Sequence, residues 1–128
     1  MYRGSHAGGI RFPKALAVHL NEYLNPHSPL SGEDIHITNA ATSLHETLAW
    51  CLADEGDKIL TSRPVYGRFE LDFGNRSNIK IWYADTTAEH AFDEDVVNAF
   101  ETAMRAAKGS RIEIRALLLV NPHNPLGT

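Results

Sequence analysis

At 128 residues the chain is one domain or part of one. It is long enough to bury roughly two-thirds of the surface its unfolded form exposes, and its 43% hydrophobic and 22% charged residues are ordinary for a soluble globular protein. A net charge of −4 without any basic run argues against nucleic-acid binding, no apolar run approaches the ~20 residues of a membrane span, and a lone Cys51 with no signal-peptide core in MYRGSHAGGI points to a reducing, cytoplasmic setting.

Residues 1–11 are Gly-rich and aperiodic, which predicts a flexible N-terminal arm. Pro13 suits the first turn of a helix, and Leu16, Leu20, Tyr23 and Leu24 follow as one apolar stripe until Asn25-Pro26 ends it. After a loop over 25–34, Ile35-His36-Ile37 is a candidate short strand. Small polar residues, Thr38 to Ser43, then lead into a helix whose apolar face is Leu44, Leu48, Cys51 and Leu52, with Gly56 as its terminating residue. Lys58–Thr61 reads as a strand, residues 62–67 as a loop, and Phe69–Phe73 as a short helix stopped by Gly74-Asn75. Ile79–Tyr83 alternates and is rich in β-formers, so it is a strand. Asp93 is positioned to cap a helix that buries Val96, Phe100, Ala103, Met104 and Ala107 and ends at Lys108-Gly109. Arg115–Val120 is the last strand, and its apolar run suggests burial on both faces. Helices alternating with strands in this way predict an α/β fold with a largely parallel sheet.

Three loops hold residues that suit a planar, anionic ligand. The segment Ala40-Ala41-Thr42-Ser43 opens a helix, where backbone N–H groups and two hydroxyls favour a phosphate; an ordinary capped helix would read the same way. Tyr66 follows a strand and offers a ring for stacking, or is a structural tyrosine. The closing loop, Asn121-Pro122-His123-Asn124-Pro125-Leu126-Gly127-Thr128, is stiffened by two prolines. It presents the Asn124 amide at a strand end, for a ligand or for a local turn bond. Other chemistry is less well supplied. His45-Glu46 begins like a zinc-protease helix but has Ala49 where the second histidine belongs, and the histidines show no metal-ligand spacing. Cys51, on an apolar helix face, is expected to be buried and inert. Gly8-Gly9 are too isolated for a nucleotide loop.

Taken together, these segments resemble a known family. NPHNPLGT resembles the Asn-Pro-x-Asn-Pro-x-Gly-Thr loop of fold-type I pyridoxal-phosphate enzymes, the class I/II aminotransferases. NAATSLHETLAWCLADEGDKIL is similar to that family's phosphate loop and following helix, especially in the aminocyclopropane-carboxylate synthase-like branch, and RPVYGRFELDF to its Pro-x-Tyr-x-x-Phe segment. The resemblance implies an N-terminal part, residues 12–128, of a fold-type I large domain. It implies pyridoxal 5′-phosphate as cofactor, an α-amino acid as substrate and a homodimer in the intact family. By position, Ala41 and Thr42 would hold the cofactor phosphate, Tyr66 would stack on the pyridine ring, and Asn124 would bond the ring's phenolic oxygen. Tyr2 is matched to a tyrosine that reaches the neighbouring subunit's cofactor. The family often has glycines where this chain has Asn39 and Ala40.

The family's Schiff-base lysine, its pyridine-nitrogen aspartate and its phosphate and carboxylate arginines all lie beyond the Asn-Pro loop. None of Lys14, Lys58, Lys80 and Lys108 stands at the motif position. The sequence therefore predicts cofactor-contacting residues without a competent catalytic centre: a fragment inactive alone, a non-catalytic interaction module or, outside this family, a sugar- or nucleotide-binding α/β module.

Overall fold

The computed structural model describes residues 9 and 11–127, so most of the arm, Tyr2 included, lies outside the described residues. The elements are helix α1 (Arg11–Leu24), a 3₁₀ turn (Gly32–Asp34), helix α2 (Ala40–Leu52), strand β1 (Lys58–Arg63), helix α3 (Phe69–Ser77), strand β2 (Lys80–Asp85), helix α4 (Asp95–Gly109) and strand β3 (Ile114–Leu117). They fall into two compact units, divided within α2 between Leu44 and His45.

In the first unit, α1 begins two residues before Pro13, which lies in the first turn, where its missing N–H breaks no helical bond. The buried residues are Pro13 and Ala17, while Tyr23 and Leu24 of the predicted stripe are about two-thirds exposed. The loop after α1 is tied back by Asn21, whose amide donates to the Leu30 carbonyl at 2.8 Å and accepts from its N–H at 2.7 Å. Ser31 and Asp34 form a reciprocal capping box around the 3₁₀ turn. The Ser31 N–H holds the Asp34 carboxyl below its ordinary pKa. The expected strand at Ile35–Ile37 does not form; three alternating residues with no neighbour to pair with cannot make a ladder.

The second unit is built on a three-stranded parallel sheet of order β2-β1-β3. The two crossovers, through α3 and α4, are what parallel neighbours require. Lys58–Arg63 of β1 pair in step with Lys80–Asp85 of β2. Against β3 the register shifts, Lys58 facing Ile114 and Ile59 facing Ala116, so that Arg115 is passed over. Its guanidinium instead reaches the Asp57 carboxylate at 2.8 Å. That carboxylate also caps the Asp54 N–H, and the Asp54 bond and then Arg115 hold it below its usual pKa.

Alternation along the strands makes two cores. On one face Ile59, Ile79 and Ile81 meet Ala49 of α2 and Phe69 and Phe73 of α3. On the other, Leu60 and Ala84 meet Ala103 of α4, where Trp82 Nε1 donates to the Ala103 carbonyl at 2.9 Å. Thr61, 1% exposed, is satisfied by donating to the Leu118 carbonyl at 2.8 Å.

Several expectations are corrected. Helix α2 turns Ala49 inward, not the Leu44–Leu48–Leu52 face, and Cys51 is exposed. Ala49 joins the cluster around Phe69 and Phe73, while the leucines lie on the uncovered side of the helix. Helix α3 runs through Gly74-Asn75 to Ser77, and Asn78 ends it in the left-handed conformation, φ 51°. Gly74 does not break the helix; it makes room, since a Cβ there would sit 3.1 Å from the Ile79 carbonyl oxygen. Asp93 lies one residue before the N-cap position of α4, accepting from the Asp95 N–H at 2.9 Å. Met104 faces outward, 54% exposed. Strand β3 is an edge strand, and Leu117 and Leu119 are exposed rather than buried on a second face.

Candidate functional site

Strands β1 and β3 are parallel neighbours, so the loops leaving their carboxyl ends emerge on one edge of the sheet. The structure thus brings Tyr66, just beyond β1, and Asn124, beyond β3, to the same edge. Tyr66 is 37% exposed and meets the Phe69 ring edge to face, centroids 5.4 Å apart. Asn124 is exposed on a turn whose Gly127 N–H donates to the His123 carbonyl at 2.7 Å.

The root of this edge is held by charge. Arg63, the last residue of β1, pairs with Asp85, the last of β2, and lies over the Tyr83 ring at 4.9 Å. The bond to Asp85 raises the Arg63 pKa and lowers that of Asp85. Burial, and then the bond from its hydroxyl to Glu70, raises that of Tyr83. Exposed pairs of this kind add little stability, but they fix where the β1 loop departs.

His123 is a residue whose role sequence reasoning missed. It is 8% exposed and meets Phe92 edge to face at 5.4 Å. A polar residue in a loop gives no burial signal, and its partner is far away in sequence. His123 and Val65 line a cavity of about 310 Å³ with Thr61, Phe92, Phe100 and Leu119. Tyr66 and Asn124, the residues directly after Val65 and His123, are not among its lining.

Ala41 and Thr42 belong to the first unit, in the exposed first turn of α2, where the helix dipole is positive. Ala40 immediately before them has φ 68°, the left-handed region in which glycine is at ease and alanine is strained by about 1–2 kcal/mol. Ala40→Gly is expected to raise stability by roughly 0.5–1 kcal/mol after the extra chain entropy of glycine is counted. Urea unfolding of both chains checks this, and a less stable variant would show that this backbone conformation is not adopted.

His90, Asp93 and Asp95 also gather, exposed, at the start of α4. Asp93 accepts from His90 at 2.7 Å, raising the histidine pKa and lowering its own. The trio is accounted for by the helix start.

The match with known proteins places this geometry. Residues 5–128 match the family described as aminotransferase class I and II, and the chain belongs to that family, one of pyridoxal 5′-phosphate enzymes. It is 33% identical over 117 residues to 1-aminocyclopropane-1-carboxylate synthase 6 of Arabidopsis thaliana, covering 91% of this chain and 23% of that protein. It is 32% identical over 120 residues to the probable aminotransferase sirI of Leptosphaeria maculans, covering 94% and 28%. Its fold is similar to part of an alanine aminotransferase from Pyrococcus furiosus, with TM-score 0.74, 22% identity, and coverage of 99% of this chain and 30% of that one. The chain therefore spans about a quarter of the length of the relatives it matches. Its α/β architecture is a partial fold-type I large domain, as expected. Among the described residues no helix is long and apolar enough to cross a membrane.

Proposed function

We propose that this chain is the pyridoxal-phosphate-binding portion of an aminotransferase class I/II-like enzyme acting on α-amino acids. The whole enzyme's reaction would be transamination or an aminocyclopropane-carboxylate synthase-like elimination, carried out by a homodimer. The observation that carries the reading is that the loops bearing Tyr66 and Asn124 leave the carboxyl ends of neighbouring parallel strands, in a chain that belongs to this family.

The residues suit the cofactor. Tyr66 keeps an accessible ring braced by Phe69, as stacking on a pyridine requires. Asn124 presents an exposed amide able to donate to a phenolic oxygen. Ala40 has a left-handed φ of 68°, a conformation that glycine adopts readily, at a position where the family often has glycine. On this assignment Ala41 and Thr42 bind the phosphate through the start of α2. Tyr66 orients the ring and Asn124 fixes its rotation in the plane. When bound, the cofactor supplies an electron sink for charge developing at the amino-acid α-carbon.

Binding here does not involve a covalent link from the second unit. Lys58 and Lys80 are the first residues of β1 and β2, and Lys108 is near the end of α4. With about 3.3 Å per residue, β1 carries Lys58 roughly 17 Å from Arg63 and the Tyr66 edge. The test follows from that. Calorimetric titration with 4-deoxypyridoxine 5′-phosphate, which has no aldehyde and cannot react with lysines, is expected to show saturable binding of one analogue per chain. Heat no greater than that of free phosphate dilution would sink the reading. Exposed apolar side chains, Trp50 at 70% and Leu119 at 67% among them, favour a second reading as an interaction module without turnover. Concentration-dependent association with no analogue binding would support it.

A further inference from the structure

Among the described residues of the second unit, one carboxylate is buried. Asp72 of α3 is 3% exposed, and its Oδ2 lies 3.3 Å from His45 Nδ1 on α2, 27 residues away in sequence. Burying a carboxylate in an apolar core is costly, and hydrophobic residues of similar volume commonly serve stability as well or better. The pair therefore calls for a role other than stability.

Its surroundings indicate one. The His45 ring stacks on Phe73, centroids 4.8 Å apart and planes 28° apart, and meets Phe69 edge on at 5.4 Å and 78°. Phe69 in turn meets Tyr66 at 5.4 Å and 78°. Asp72, His45, Phe69 and Tyr66 thus form one continuous line, from a buried anchor to the exposed ring at the sheet edge. A hydrogen bond at one nitrogen restrains the rotation of an imidazole, and because edge-to-face contacts are directional, a turn of one ring changes the orientation its neighbour prefers.

We propose that His45 and Asp72 are a positioning pair: they set the plane of the Tyr66 ring through Phe69, and so preorganise the surface on which the cofactor ring stacks. This rests on the cofactor-binding reading for its purpose, but the orientation of Tyr66 is a property of the chain alone.

The chain labelled with 3-fluorotyrosine, with Tyr66→Phe assigning the signal, reports the ring by fluorine NMR without any cofactor. His45→Ala and Asp72→Leu are expected to move the Tyr66 signal toward that of free fluorotyrosine. Asp72→Asn, which keeps an oxygen to accept from His45, is expected to leave it in place. With 5-fluorotryptophan in the same variants, the Trp82 signal, from the indole bonded to Ala103 on the other face of the sheet, should stay fixed. Affinity for 4-deoxypyridoxine 5′-phosphate should fall about fivefold in the first two variants. An unmoved Tyr66 signal in both would overturn the proposal. So would a Trp82 signal that moves with it, because the pair would then support the whole sheet and not this loop. Should the unsubstituted chain fail to bind the analogue, the cofactor reading fails while the fluorine spectra still decide the positioning.

Discussion

Phe73→Ala is expected to cost about 3–5 kcal/mol, the range for removing a buried phenylalanine from a packed core. Phe73 is 3% exposed and belongs to the larger cluster, with Ile59, Ile79, Ile81, Phe69 and Ala49. It also carries the stacked His45 ring. Its loss removes the ring's own transfer energy and leaves a void between α3 and the sheet, which fixed strands on one side and a fixed helix on the other cannot close. Domains of this size are stable by only about 5–15 kcal/mol, so the variant should unfold at far lower urea or not fold at all. Leu71, two residues earlier on the same helix, is 61% exposed, and Leu71→Ala should change stability by less than about 0.5 kcal/mol. Urea unfolding followed by far-UV circular dichroism separates the two. If both variants cost the same small amount, α3 is not docked as described.

This contrast marks where the sequence was legible. Element order came through because alternation over Ile79–Tyr83 and the helical spacing of Val96, Phe100, Ala103 and Ala107 are local signals. Which face of a helix is buried came through less well. Apolar periodicity ranks faces by side-chain size, whereas the buried face is the one that another element covers. Ala49 meets the Phe69 and Phe73 cluster, while Leu44, Leu48 and Leu52 are 39–47% exposed. Gly74 misled for a related reason, since a glycine needed for close packing against the Ile79 carbonyl looks in sequence like a helix stop. The Leu117–Val120 run reads as doubly buried, but burial on a second face depends on an element packed over that face, and Leu117 and Leu119 are 52% and 67% exposed. The loops that carry Tyr66 and Asn124 were legible because prolines and glycine punctuate them; the roles of the two residues come from the family resemblance. The His45–Asp72 pair was not legible, because only tertiary folding joins residues of α2 and α3. Ala40 lies between these cases: the sequence marks it as a departure from the family's glycines, and only the structure shows its left-handed φ, a conformation that glycine adopts more readily than alanine.

Asn124→Ala is expected to weaken 4-deoxypyridoxine 5′-phosphate binding by about 10- to 100-fold while leaving stability within about 0.5 kcal/mol of the unsubstituted chain. The first figure is the worth of one hydrogen bond to a charged oxygen, about 1.5–3 kcal/mol. On the proposed assignment the Asn124 amide donates to the ring's phenolic oxygen. The second figure follows from exposure, since Asn124 lies on the outside of its turn. Asn124→Asp sharpens the reading, because a carboxylate keeps the shape, cannot donate and repels a phenolate; it should bind more weakly than the alanine variant. His123→Ala is the counterpart. His123 is buried against Phe92, and its Nδ1 faces the Leu126 N–H at 3.5 Å. Its removal should lower both stability and affinity, because the whole turn loses its anchor. Calorimetric affinities beside unfolding midpoints for the three variants decide the matter. If Asn124→Ala and Asn124→Asp bind as tightly as the unsubstituted chain, Asn124 does not touch the ligand, and the sheet edge binds through Tyr66 without it.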